Sequence, residues 1–153
     1  MNIALYTLTS PLHDEKAVNA VSKEFLEDIE MTLEMEFDFR ANDFSCYGDS
    51  DLDIIFVRTG GTEGLFKEIS PKLAGKILLL TSGKSNSLAA SLEIMSYLNQ
   101  QGRCGEILHG SKEYIAERIS ILAKVSAARK KLNGTNLGII GQPSDWLISS
   151  NAD

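Results

Sequence analysis

The stretch Leu52-Asp53-Ile54-Ile55-Phe56-Val57-Arg58-Thr59-Gly60-Gly61-Thr62-Glu63 decides the fold. Leu52 to Val57 is a near-continuous apolar run with β-branched residues, the composition of a strand buried on both faces. It gives way to a small polar loop, Arg58 to Glu63. That loop opens a short helix over Glu63 to Ile69, which must stop before Pro71 because a residue preceding proline is pushed out of the helical region. Strand, small loop and helix in that order form the repeating unit of a parallel α/β sheet.

The unit recurs in both directions along the chain. Lys76 to Leu80 reads as a second buried strand, followed by Thr81-Ser82-Gly83-Lys84-Ser85-Asn86-Ser87 and a helix over Ser87 to Gln100. Ser85 or Ser87 is expected to cap that helix. Leu88, Leu92, Met95 and Leu98 are expected on its inner face, with Gly102 just past its end. Upstream, Asn2 to Leu8 is a strand ending in Thr9-Ser10-Pro11. Asp14 to about Leu33 turns helical, with Val18, Val21, Phe25 and Ile29 recurring at three and four. Glu36 to Phe39 is a further strand, and the polar Asn42 to Asp51 a loop. Downstream, Glu106 to Leu108 is a short strand and Ser111 caps a helix to about Leu132, with Ile115, Ile119, Leu122 and Val125 inward. Leu137 to Ile140 is the last strand. The expected fold is a three-layer α/β, doubly wound, mostly parallel sheet of flavodoxin/Rossmann-like type, with helices on both faces joined by right-handed crossovers. Residues 1–142 are read as this α/β domain and 143–153 as the start of a connection to a further domain.

Composition narrows the partners. The chain has 153 residues, enough for one domain with a single core, and a formal charge of −6. Nucleic acid and anionic membrane surfaces need clustered Lys and Arg, so neither is expected as a partner. The densest basic run, Arg129-Lys130-Lys131, falls at a helix C-terminus, where cations complement the dipole. Cys46 and Cys104 have no metal-ligand spacing and read as reduced thiols. The N-terminus lacks the basic start and long apolar stretch of a signal peptide, and no apolar run approaches the ~20 residues of a membrane span. The expected location is cytoplasmic.

In a parallel sheet the loops after the strands gather on one edge, where open α/β sheets bind ligands. Those loops hold Thr9, Ser10 and His13; Thr59 to Glu63; Ser82 to Ser87; His109 to Ser111; and Gln142 to Trp146. The candidate ligand-binding residues are Thr59, Gly60, Gly61, Thr62, Ser82, Gly83, Ser85, Asn86, Ser144 and Trp146. The Gly60-Gly61 pair equally fits a tight turn, since glycine adopts positive φ at no steric cost. A Gly-x-x-x-x-Gly-Lys-Ser/Thr loop is absent, as is a Gly-x-Gly-x-x-Gly fingerprint, so neither ATP nor NAD binding has support. Trp146 can stack on the C–H face of a sugar or cover the open end of the sheet. His13 and His109 can exchange protons near neutral pH or stand solvated. Of the carboxylates, histidines and thiolates that a metal or hydrolytic centre needs, only Glu63, Asp145 and the two histidines lie on this edge, spread over four loops. No catalytic residue and no metal site is assigned, and the chain reads as a binding platform.

The segment Leu137-Gly138-Ile139-Ile140-Gly141-Gln142-Pro143-Ser144-Asp145-Trp146-Leu147-Ile148-Ser149-Ser150 resembles part of the L-fucose isomerase / L-arabinose isomerase-like proteins, at the point where their N-terminal α/β domain hands over to the next. Phe56 to Glu63 and Leu80 to Ala89 are also similar to that domain. The resemblance implies an N-terminal, substrate-pocket domain of an aldose–ketose isomerase-like protein. It also implies a sugar as partner and a homo-oligomer whose pocket crosses a subunit boundary. In that family a divalent metal, usually manganese, is held by later domains, so Mn2+ is expected in a longer parent and no catalytic residue carries over to this chain. Two other readings stand beside it. One is a stand-alone phosphosugar- or anion-binding domain, on the loose similarity of Ser82 to Ser87 to the phosphate loops of sugar isomerase (SIS) domains. The other is an interaction module with no ligand.

Overall fold

The structure, a computed structural model, describes residues 1–136 together with Gly138 and Gly141. Five strands alternate with four helices: β1 Ile3–Leu8, α1 Glu15–Leu33, β2 Asp38–Ala41, β3 Leu52–Val57, α2 Glu63–Ile69, β4 Ile77–Leu80, α3 Ser87–Gln100, β5 Gly105–Leu108 and α4 Lys112–Asn133. Short 3₁₀ turns at Phe44–Cys46 and Ser70–Lys72 fill two of the connections. The sheet runs β2-β1-β3-β4-β5 with every pairing parallel, the doubly wound order expected of a flavodoxin-like domain. The strand proposed at Leu137 to Ile140, and with it Ser144 and Trp146, lies outside the described residues.

Alternation along the strands builds two cores. Leu52, Ile54 and Phe56 of β3 face one side with Ile3 and Leu5, covered by Ile29 of α1 and Ile115, Ile119 and Ala123 of α4. Ile55 and Val57 face the other with Ala4, Tyr6, Ile77 and Leu79, covered by Phe66 of α2 and Ala90, Ile94 and Leu98 of α3. β3 sits mid-sheet, so both its faces are dry and its composition is apolar almost throughout. Tyr6 is fully buried and stacks on Phe44 at 5.0 Å between ring centroids. Burial, reinforced by the nearby Asp53 carboxylate, pushes its phenol up to about 12.

The inner faces of two helices differ from their leucine pattern. Leu92 is exposed, Leu88 and Met95 are only half-buried, and the inward stripe of α3 is Ser87, Ala90, Ser91, Ile94 and Leu98. Small residues on that stripe let the helix lie close to the sheet, and the Ser91 hydroxyl closes on the Ser87 carbonyl at 2.8 Å. On α4, Val125 is exposed because it stands roughly 120° around the helix from Ile119, whereas Ala123 stands roughly 40° from it and takes the inward position. The edge strand β2 begins two residues later than its sequence implied. Asp38 accepts two hydrogen bonds from Arg40, at 3.0 and 2.7 Å, and Phe39 points outward.

At the other edge, Glu106 of β5 binds Lys76 at 2.6 Å and Arg118 of α4 through a two-pronged contact. The Arg118 hydrogen bond, followed by Lys76, holds its carboxyl down at about 2 against an ordinary value of 4.5. The folded chain therefore resists protonating Glu106 more than the unfolded chain does. The resulting stability is whole above about pH 4.5 and is lost as pH falls toward 2. Glu106→Gln is expected to lower the urea midpoint at pH 7 and to flatten the loss of stability across that acid window. An unchanged acid limb in urea melts between pH 5 and 2 would show that the bridge contributes nothing.

Candidate functional site

The order of the strands places the site. The sheet's winding reverses between β1 and β3: β1 leads into α1 on one face, β3 into α2 on the other. Beyond their two loops the chain turns to opposite faces and leaves a crevice at the carboxyl edge, the position where doubly wound sheets bind ligands. Arg58 continues the ladder at that edge, its N–H donating to the Leu8 carbonyl at 2.9 Å.

Hydrogen bonds draw the loops after β1, β3 and β4 together, and contact adds the loop after β5. The Ser10 N–H donates to the Thr59 hydroxyl at 2.9 Å, and the Thr62 hydroxyl donates to the Thr59 carbonyl at 3.2 Å. The Gly60 N–H donates to the Ser85 carbonyl at 2.7 Å. A Cβ on Gly60 would lie 2.9 Å from the Asn86 Cβ, a separation real side chains do not show. Within the β4 loop, the Thr81 hydroxyl donates to Ser87 Oγ at 2.7 Å, and Ser87 Oγ donates to the Lys84 carbonyl at 2.7 Å. Gly83 has φ +76° and lies under His109, whose Cε1 is 2.8 Å from where a Cβ would stand. Nδ1 of His109 is 3.1 Å from the Thr81 carbonyl. A carbonyl only accepts, so this contact places a proton on Nδ1, and in the corresponding neutral tautomer Nε2 is an acceptor.

These contacts divide the candidate residues into two sets. Thr59 and Thr62 are fully buried, with hydroxyls engaged by the scaffold. Gly60 and Gly83 serve close backbone approach, and Gly61, at φ +70°, lies over the Ser10 side chain. Ser85 and Asn86 are exposed and Ser82 half-exposed, so these three present polar groups outward. The expected serine cap on α3 is absent. Asn86 occupies the cap position in the left-handed region at φ 58°, without a side-chain cap bond, and Ser87 lies inside the first turn. Ser85, at φ 52°, is left-handed too, so two successive non-glycine residues hold a conformation that costs energy.

The crevice holds a cleft of ≈ 150 Å³ bordered by His13, Asp14 and Ser22 on the α1 side and by Arg58, Ser82 and Ser85 opposite. Arg58 lines this cleft and is not among the binding residues read from the sequence. Its Nε donates to Ser22 Oγ at 3.0 Å, Nη1 to Thr9 Oγ1 at 3.3 Å, and Nη2 to Asn19 Oδ1. Burial lowers its pKa from the ordinary arginine value, with Glu15 acting the other way through space. Beyond it, a mostly apolar groove of ≈ 400 Å³ follows α1 toward β2, lined by Leu26, Phe37, Phe39 and Phe56. Among the described residues no three His, Cys, Asp or Glu side chains are grouped so as to hold a metal ion, so they do not fit a manganese site. No described helix is long and apolar enough to cross a membrane.

No family model, curated protein or solved structure matched the chain when it was compared with each.

Gly60→Ala tests the loop junction. Its added methyl must push Asn86 away and lengthen the Gly60–Ser85 bond, at an expected cost of about 1–3 kcal/mol in chemical denaturation. Amide shifts at Ser82–Ser87 are expected to move with it. A wild-type denaturation midpoint with unchanged shifts would show that the two loops are not locked together.

Proposed function

We propose that this chain is the N-terminal, sugar-pocket domain of a metal-dependent aldose–ketose isomerase-like protein, working in the cytoplasm as part of a homo-oligomer. Two kinds of support meet in this reading. One is the similarity of Phe56–Glu63, Leu80–Ala89 and Leu137–Ser150 to the L-fucose and L-arabinose isomerase-like proteins. The other is physical, and it carries the reading. Loops from β1, β3, β4 and β5 are tied each to the next along the carboxyl edge of the sheet, with Ser82, Ser85 and Asn86 exposed on it. Short hydroxyl and amide groups on rigid loops suit a polyhydroxylated ligand, which needs several hydrogen bonds in fixed directions.

In this reading the domain binds and orients the sugar. Rigid loops limit the entropy lost when the ligand is held, because the Gly60–Ser85 bond and the Thr81–Ser87–Lys84 chain already fix them. His109 offers an acceptor at Nε2 for a sugar hydroxyl. A divalent metal, manganese in the similar family, would supply Lewis-acid chemistry from polypeptide outside the described residues.

Expression of the reading frame that contains this chain, followed by assay with Mn2+ across a panel of aldoses, is expected to yield ketose. A protein that binds no divalent metal and converts no aldose would refute the assignment. Trp146→Ala in the same protein is expected to weaken apparent sugar affinity about tenfold if the indole stacks on the ring. Unchanged affinity would remove Trp146 from the pocket.

A further inference from the structure

We propose that the cleft beside Arg58 is an anion site, which takes a phosphate or carboxylate group carried by the ligand. The identity of the rest of that ligand, a sugar, rests on the reading above; the anion site stands on the surroundings of Arg58.

A guanidinium has five N–H groups, and three of those on Arg58 are donated to Ser22, Thr9 and Asn19. Two therefore remain. All three acceptors are uncharged: two hydroxyls and one side-chain amide. Several other cations of the chain are paired with acids. Arg40 pairs with Asp38, Arg118 and Lys76 with Glu106, and Lys130 with Asp51. Arg103 donates to the Ser70 and Leu73 carbonyls just beyond α2, the negative end of a helix. Among the described residues Arg58 has no carboxylate within ion-pair distance.

Two acids lie near, and neither is within ion-pair distance of it. Asp14 borders the cleft, but its carboxylate caps α1 by accepting the Lys16 N–H at 2.9 Å. Glu15 acts only through space. A half-buried guanidinium with neutral partners, in a chain of net charge −6, is a cation set aside. It borders a cleft that Ser82 and Ser85, two hydroxyl residues of the loop after β4, also line. A planar fork with two open donors, beside hydroxyl residues, recognises paired anionic oxygens, and phosphate and carboxylate share that chemistry.

The test is titration of the 15N-labelled 153-residue chain at constant ionic strength with four probes: inorganic phosphate, glucose 6-phosphate, glucuronate and glucose. The two sugar anions are expected to move the Arg58 Nε–H and the Ser82–Ser87 amides at concentrations about tenfold below those glucose needs. Asn19→Asp places a carboxylate against the guanidinium at unchanged shape and is expected to raise the anion midpoints about tenfold. Arg58→Gln is expected to do the same, and Asn19→Asp still reads the charge if Arg58→Gln fails to fold. Response to glucose 6-phosphate but not glucuronate would assign the group as phosphate, and the reverse as carboxylate. Glucose titrating like the sugar anions, with Asn19→Asp indifferent, would overturn the anion site and leave the sugar pocket standing. Arg58-dependent binding in which glucose 6-phosphate is no tighter than inorganic phosphate would keep the anion site and remove the sugar. No shift at Arg58 with any probe would overturn the proposal.

Discussion

Gly60 has no side chain because Asn86 occupies the space one would fill. That exclusion lets the Gly60 N–H reach the Ser85 carbonyl, and the bond ties the loop after β3 to the loop after β4. The rest of the carboxyl edge is arranged around it. Thr59 takes the Ser10 N–H on one side, and Thr81 orders the Gly83 turn on the other, with the Gly83 N–H at 3.1 Å from its hydroxyl. Four loops that would wander separately become one surface, and the entropy of ordering them is met by folding and not by the ligand.

The scaffold beneath that surface is conventional, and its regularity is what makes the edge rigid. Three of the loops spring from β1, β3 and β4, whose side chains are buried on both faces, so a shift of any of these strands would expose a row of apolar groups. Arg58 adds a tie of another kind. It joins the end of β3 to the first loop and to α1 through neutral acceptors, and so holds a positive charge in place without cancelling it.

Much of this was legible in the chain. Leu52–Val57 announced a central strand because only a strand dry on both faces is so apolar, and Pro71 marked the end of α2. The convergence of the loops followed from the alternation of strand and helix. Three things did not follow. The inner face of α3 is carried by Ser87, Ala90 and Ser91, which count little in a hydrophobic pattern, so the larger Leu92 pointed to the wrong side. β2 is an edge strand of four residues with little burial to fix its register. The division of labour within the loops was hidden because short polar side chains look alike in sequence. Arg58 stood in the deciding stretch, yet its acceptors come from 36 to 49 residues away, and only the fold assembles them.

The two rims of the sheet formed by the described residues have a bearing on how the molecule behaves in a crowd. β2 and β5 have four residues each, and each is set with paired charges: Asp38 with Arg40, and Glu106 with Lys76 and Arg118. A stray chain seeking to extend the sheet finds a short stretch of backbone and meets ions that would have to shed their water. Short length and paired charge thus disfavour edge-to-edge pairing at the outermost of the described strands, β2 and β5.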